Sequence, residues 1–230
     1  MVGMNNEKNR KAWIEKTLNN INPGLKIIDV GAGELANKIY CKHLEYVSQD
    51  FCQYDGKGDN VALQTGEWNT SKIDIVSDIT NIPVEDASFD VVLCTEVLEH
   101  VPDPVKAIEE MVRICKKNGE IILTAPFCSL THFSPYHYYS GFNKYFYIFH
   151  LERLGCKILE IEQNGNFFEY LAQELLRLPQ IAEKYAQLKL RHLEKISIRI
   201  LLKALGKFSK KDNGSADLLC FGYHIRARKL

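Results

Sequence analysis

Lys26-Ile27-Ile28-Asp29-Val30-Gly31-Ala32-Gly33-Glu34 is the stretch that decides the fold. A short apolar run ends in an acid and a Gly-x-Gly turn, and a helix-like pattern follows. A buried parallel strand hands over to a nucleotide-binding loop in this way. Glycine lacks a Cβ, so it takes positive φ and lets a ligand approach the backbone. A helix opening behind the turn offers unpaired N–H groups. Leu35 and Ala36 do not supply the third small residue of the dinucleotide fingerprint, so the flanking segments have to carry the assignment.

Those segments alternate. Residues 5–19 read as a helix with Trp13, Ile14 and Leu18 on its apolar side, closed by Asn22-Pro23-Gly24; it forms an N-terminal cap over 1–24. Residues 34–44 read as a second helix and Glu45–Asp50 as a second strand. Asp50 stands 21 positions after Asp29. In a βαβ unit that places a carboxylate beside the glycine turn, where it accepts ribose hydroxyls. A solvated loop aspartate is the alternative; the glycine turn favours the ribose. Phe51–Thr70 is a polar loop, and Ile73–Val76 is a third strand ending near Asp78. Phe89–Thr95 is an apolar central strand. A helix from Pro104 to about Lys117 is closed by Lys116-Lys117-Asn118-Gly119, and Glu120–Ala125 is a fifth strand. Strands alternating with helices make an open, parallel α/β sheet. Its ligand site lies beyond the carboxyl ends of the strands, where Asp29, Asp50, Asp78, Thr95 and Glu96 gather.

The 29 basic residues balance 29 acidic ones, so no nucleic-acid partner is expected. Seven cysteines are scattered without a Cys-x-x-Cys pair, which suits a reducing, cytoplasmic compartment. No stretch has the length of a transmembrane span, and the polar first ten residues carry no signal-peptide core.

Five segments then agree in type and order: Ile-Asp-Val-Gly-Ala-Gly at 28–33, Gln-Asp-Phe at 49–51, Ser-Asp-Ile-Thr through Phe-Asp-Val-Val at 77–92, Glu-Val-Leu-Glu-His-Val-Pro-Asp-Pro at 96–104, and Lys-Asn-Gly-Glu-Ile-Ile-Leu-Thr-Ala-Pro at 117–126. Over about residues 25–126 the series resembles the class I S-adenosylmethionine-dependent methyltransferases of the small-molecule type. The resemblance implies a Rossmann-like, seven-stranded, mostly parallel sheet flanked by helices, with the last strand antiparallel. Cys156–Gln163 and Leu218–Arg228 then supply strands six and seven, and 166–207 is a helical insertion within a single domain. It implies that Asp29, Gly31 and Gly33 lie by the methionine part of S-adenosyl-L-methionine and that Asp50 holds its ribose. Phe51 would pack on the adenine, Asp78 and the Ile79 backbone would meet the adenine amino group, and Thr95 and Glu96 would border the methionine and the acceptor. A nicotinamide-dependent oxidoreductase and a catalytically silent cofactor-binding scaffold are the alternatives.

The acceptor must be read from what is unusual. Pro126–His150 is dense in aromatic residues and histidines and begins where the fifth strand ends. Phe142, Phe146 and Phe149 read as core residues of a helix. His132, Tyr136, His137 and Tyr139 fall in the loop before it, where sites reside. A hydroxyl acceptor needs help losing its proton, so His132 or His137 is the expected base, with Tyr136, Tyr139 and His100 lining the acceptor. No metal centre is expected, because the spacing of His132 and His137 matches no standard ligand pattern. The expected acceptor is a hydroxyl or carboxyl, less readily an amine, of a small molecule or glycan. Two helices, Phe167–Leu178 and Gln180–Leu205, fill the insertion, and 180–211 is locally basic. That stretch is read as a solvated helix or subunit contact, in a monomer or homodimer, with a peripheral membrane contact as the other option.

Overall fold

The computed structural model describes residues 1–230. Seven strands form one sheet: β1 (Lys26–Val30), β2 (Glu45–Asp50), β3 (Ile75–Val76), β4 (Phe89–Thr95), β5 (Cys115–Pro126), β6 (Cys156–Asn164) and β7 (Gly222–Lys229). Their order is β3-β2-β1-β4-β5-β7-β6. Pairings among β1 to β5 are parallel, and β7 runs antiparallel to β5. This is the expected Rossmann-like sheet with an antiparallel last strand. The strand order reverses at β1, which has β2 on one side and β4 on the other. The topological switch point, where sheets of this kind take their ligand, therefore lies at the carboxyl ends of β1 and β4.

Burial follows from composition. Ile27, Ile28, Val92, Leu93, Ile121 and Ile122 are fully buried, because both faces of the central strands are covered. On one face, Trp13, Ile14 and Leu18 of helix α1 (Asn6–Asn19) pack with Ile27, Val91, Leu93 and Ile122. Helix α2 (Pro104–Ile114) buries Ala107, Ile108 and Met111 at β4 and β5. Pro104 opens it, and Asp103 Oδ1 accepts the Lys106 N–H at 3.1 Å, a cap worth about 1 kcal/mol. Helix α3 (Lys144–Arg153) buries Tyr147 and Leu151.

The chain packs as two compact units. Residues 12–162 with 222–230 hold the sheet's functional edge. Residues 1–11 with 163–221 form the other, built on α4 (Phe167–Ile181) and α5 (His192–Ser209). Within the latter, the Gly3 N–H donates to Glu169 and Asn164 Nδ2 donates to the Asn6 carbonyl. Helix α5 buries Leu205, exposes Leu193, Ile200, Leu201 and Phe208 along one side, and carries Lys195, Arg199 and Lys203 round the other. No helix is long and apolar enough to cross a membrane.

Several local expectations fail for physical reasons. Residues 34–44 are turns with one short 3-10 stretch, Lys38–Tyr40. Leu35 sits at φ 62°, which a continuous α-helix does not permit, so no helix N-terminus stands behind the glycine turn. Helix α2 stops at Ile114, since Cys115 already belongs to β5 and Asn118 takes φ 63°. The third strand shrinks to two residues. Pro179 lies inside α4, and the second insertion helix begins only at His192, after Gln187 at φ 55°. Phe149 is exposed, and Phe142 is buried as expected but precedes α3; the buried side of that helix is Tyr147 and Leu151.

Candidate active site

The acids at the strand ends converge on the glycine turn. Asp29 is fully buried. Its Oδ2 accepts the Tyr46 hydroxyl at 2.8 Å and Asn37 Nδ2 at 3.3 Å, whereas Oδ1 is buried with no hydrogen-bond partner. The same Asn37 amide donates to Thr95 Oγ1 at 3.1 Å, so one side chain ties the ends of β1 and β4 together. Burial pushes the Asp29 carboxyl up to about 7; the bonds from Tyr46 and Asn37 oppose the shift and the nearby Asp50 charge adds to it.

Gly31 and Gly33 have φ of 71° and 50°. A Cβ on Gly31 would strike Val97, and one on Gly33 would lie 2.5 Å from the Trp68 ring. The Gly33 N–H donates to Asp50 Oδ2 at 2.9 Å and the Cys52 N–H to Asp50 Oδ1 at 2.8 Å, which fixes that carboxylate under the turn. Gln49 reaches from the Gly31 N–H to the Ser77 carbonyl, linking the turn to the end of β3. Beyond it, Asp78 is exposed and takes Thr80, while Ile79 is buried. Glu96 has φ 55° and donates its N–H to the Thr124 carbonyl at 2.8 Å.

A second layer consists of loops. The segment after β5 meets the segment after β2 through the Leu63–His132 bridge. Phe133 stacks on Tyr54 at 4.6 Å and on His100 at 5.0 Å, with Trp68 edge-on at 5.4 Å. Phe51 meets Tyr136 edge-on at 5.1 Å, so the expected adenine neighbour touches the expected acceptor loop. His100, His132 and His137 form one cluster, with ring centroids 4.7 to 5.8 Å apart. His100 Nδ1 bonds the Tyr136 carbonyl at 2.6 Å, His132 Nδ1 the Leu130 carbonyl at 2.8 Å, and His137 Nε2 the Ser129 hydroxyl at 3.3 Å. Tyr139 donates to the Pro102 carbonyl at 3.1 Å. Burial, with His132 alongside, lowers His100 to about 3 and moves His137 below its ordinary value, so both rings are neutral at pH 7.

The structure therefore joins Asp29, Gly31, Gly33, Asp50 and Thr95 in one network, and His100, His132, Tyr136 and His137 in another. Asn37, Tyr46, Gln49, Trp68 and Glu99 join these networks unannounced. Asn37 was hidden in a segment that reads as a helix; the hydroxyl of Tyr46 comes from the middle of a strand, and no spacing rule marks it.

An orphaned buried carboxylate oxygen beside a positive-φ glycine turn, above a second buried acid, fits an ammonium-bearing adenosyl ligand. Residues 28–123 match the family profile described as a methyltransferase domain. Ubiquinone biosynthesis O-methyltransferase of Leptothrix cholodnii is 29% identical over 118 residues, covering 50% of this chain and 49% of that protein. Demethylmenaquinone methyltransferase of Renibacterium salmoninarum is 32% identical over 104 residues, covering 44% and 41%. The chain thus spans about half the length of the curated relatives it matches. In fold, it is similar to the crystal structure of a SAM-dependent methyltransferase from Archaeoglobus fulgidus, with TM-score 0.58, 19% identity, and coverage of 96% and 94%.

Proposed function

We propose that this chain, which carries the class I S-adenosylmethionine-dependent methyltransferase domain, moves a methyl group onto a hydroxyl oxygen of a small-molecule acceptor. The observation that carries the reading is Asp29: fully buried, with one oxygen held by Tyr46 and Asn37 and the other without a partner. A cationic amino group is the partner such an oxygen lacks. S-adenosylmethionine supplies the electrophilic methyl of its sulfonium. The chain's own residues bind and orient: Asp29 and the Gly31–Gly33 turn take the amino-acid end, Asp50 and Phe51 the nucleoside, and Asp78 with Ile79 the base. Thr95 and Glu96 border the reacting side.

Methyl transfer chiefly requires alignment of the acceptor and exclusion of water. The aromatic loop with His100, Tyr136 and Tyr139 lines that side. His137 is assigned as the base: neutral at pH 7, it can accept the acceptor's proton on its ring. The relative named a ubiquinone biosynthesis O-methyltransferase supports transfer to oxygen, and it and the demethylmenaquinone methyltransferase support a quinone-type acceptor. The test is transfer of labelled methyl from S-adenosylmethionine to a panel of catechols, hydroquinones, sugars and amines. Labelled phenolic ether supports the reading; label confined to amines, or to none of them, contradicts it.

A further inference from the structure

We propose that Glu99, His100 and His132 form a binding site for a divalent transition-metal ion. One ligand atom from each lies within 4.8 Å of the other two. Ligand atoms in a tetrahedral zinc site stand about 3.3 Å apart, as bonds of about 2.0–2.1 Å require. His100 Nε2 and Glu99 Oε1 are already 3.7 Å apart. Small rotations of His132, which sits on a loop, close the remainder.

The tautomers point the same way. A backbone carbonyl only accepts, so His100 Nδ1 at 2.6 Å from the Tyr136 carbonyl and His132 Nδ1 at 2.8 Å from the Leu130 carbonyl both carry hydrogen. Each neutral ring then has its lone pair on Nε2. Metal-ligating histidines show this outer arrangement, with the far nitrogen donating to a carbonyl or carboxylate. Glu99, 1% exposed, supplies the carboxylate. Its carbonyl accepts the Tyr138 and Tyr139 N–H groups at 2.9 and 3.2 Å, which pins the loop that brings His132. Phe133, stacked on His100, shields one side. Linear spacing gave no hint, because Glu99 and His100 follow β4 while His132 follows β5.

Two imidazoles and one carboxylate leave coordination positions open, as in catalytic rather than structural sites. An acceptor hydroxyl in an open position would lose its proton more readily. That consequence rests on the methyl-transfer reading; binding of the ion does not. The test is calorimetric titration of the chelator-treated full chain with Zn²⁺, alongside Glu99→Gln, His132→Gln and, outside the cluster, His150→Ala. One site per chain is expected, weakened roughly tenfold or more in the first two variants and unchanged in the third. Co²⁺ should give ligand-field bands without thiolate charge transfer. Because Glu99 is buried, the loop variant His132→Gln decides if Glu99→Gln fails to fold. Wild-type Zn²⁺ affinity in His132→Gln, or a thiolate band with Co²⁺, would overturn the site whether or not methyl transfer is found.

Discussion

Half-buried Tyr46 donates its hydroxyl at 2.8 Å to Oδ2 of Asp29, which is fully buried. The bond lowers the cost of an ionised Asp29 without abolishing it, and the carboxyl still titrates at about 7. The unfolded chain releases this proton near 3.8. Between these values the folded state holds more protons than the unfolded one, so this group's contribution to stability falls as pH rises from about 4 to about 7 and is constant above. Asp29→Asn should remove that slope. Denaturant melts at pH 4.5 and 7.5 should show the variant gaining on the wild type by on the order of 1–4 kcal/mol at the higher pH. An equal difference at both pH values would refute the buried charge.

Trp68 covers Gly33, and the chain has only two tryptophans, the other being Trp13 in the core. A ligand entering over the glycine turn must disturb Trp68. Emission should change on adding S-adenosylhomocysteine and the change should vanish in Trp68→Phe. Gly33→Ala, strained at φ 50° and blocked by the ring, should lose stability by about 1–3 kcal/mol. Unaltered emission at saturating ligand would show that the ligand does not enter there.

His137 should govern the acid limb of activity. Burial and the neighbouring His132 hold it below the ordinary histidine value, so turnover should rise with pH along a limb displaced to the acid side of an unperturbed histidine's. His137→Gln should lower kcat by about 10²–10⁴-fold and leave cofactor affinity unchanged. Loss of cofactor affinity with unaltered kcat would assign His137 to binding instead.

The exposed stripe of α5, Leu193, Ile200, Leu201 and Phe208, has Lys195, Arg199 and Lys203 on the other side of the helix. That arrangement suits an anionic membrane surface. Phosphatidylglycerol vesicles should sediment the protein, uncharged phosphatidylcholine vesicles should not, and Lys195→Glu with Lys203→Glu should release it. Equal sedimentation with both lipids would dismiss charge-guided contact.

The strands and the glycine turn were legible because their signal is local. Ile27-Ile28 and Val91 to Cys94 are apolar runs at the heart of their strands, as buried central strands demand. Pro104 at the start of α2 was equally local. The region after the turn was not, because Leu35 adopts a left-handed backbone that its side chain does not advertise, and Asn37 spends its amide on Asp29 and Thr95. The histidine cluster was half legible: the loop announced His132 and His137, while the meeting with Glu99 depends on two strand ends lying side by side.

The central claim is that the Asp29–Gly33 turn holds an adenosyl ligand with a charged amino-acid end. Calorimetry of the full chain with S-adenosylhomocysteine, with NAD as the comparison, tests it most directly. One site per chain for S-adenosylhomocysteine is expected, lost in Asp50→Ala, with no heat from NAD. A folded protein that binds NAD, or that gives no heat with S-adenosylhomocysteine, would contradict it.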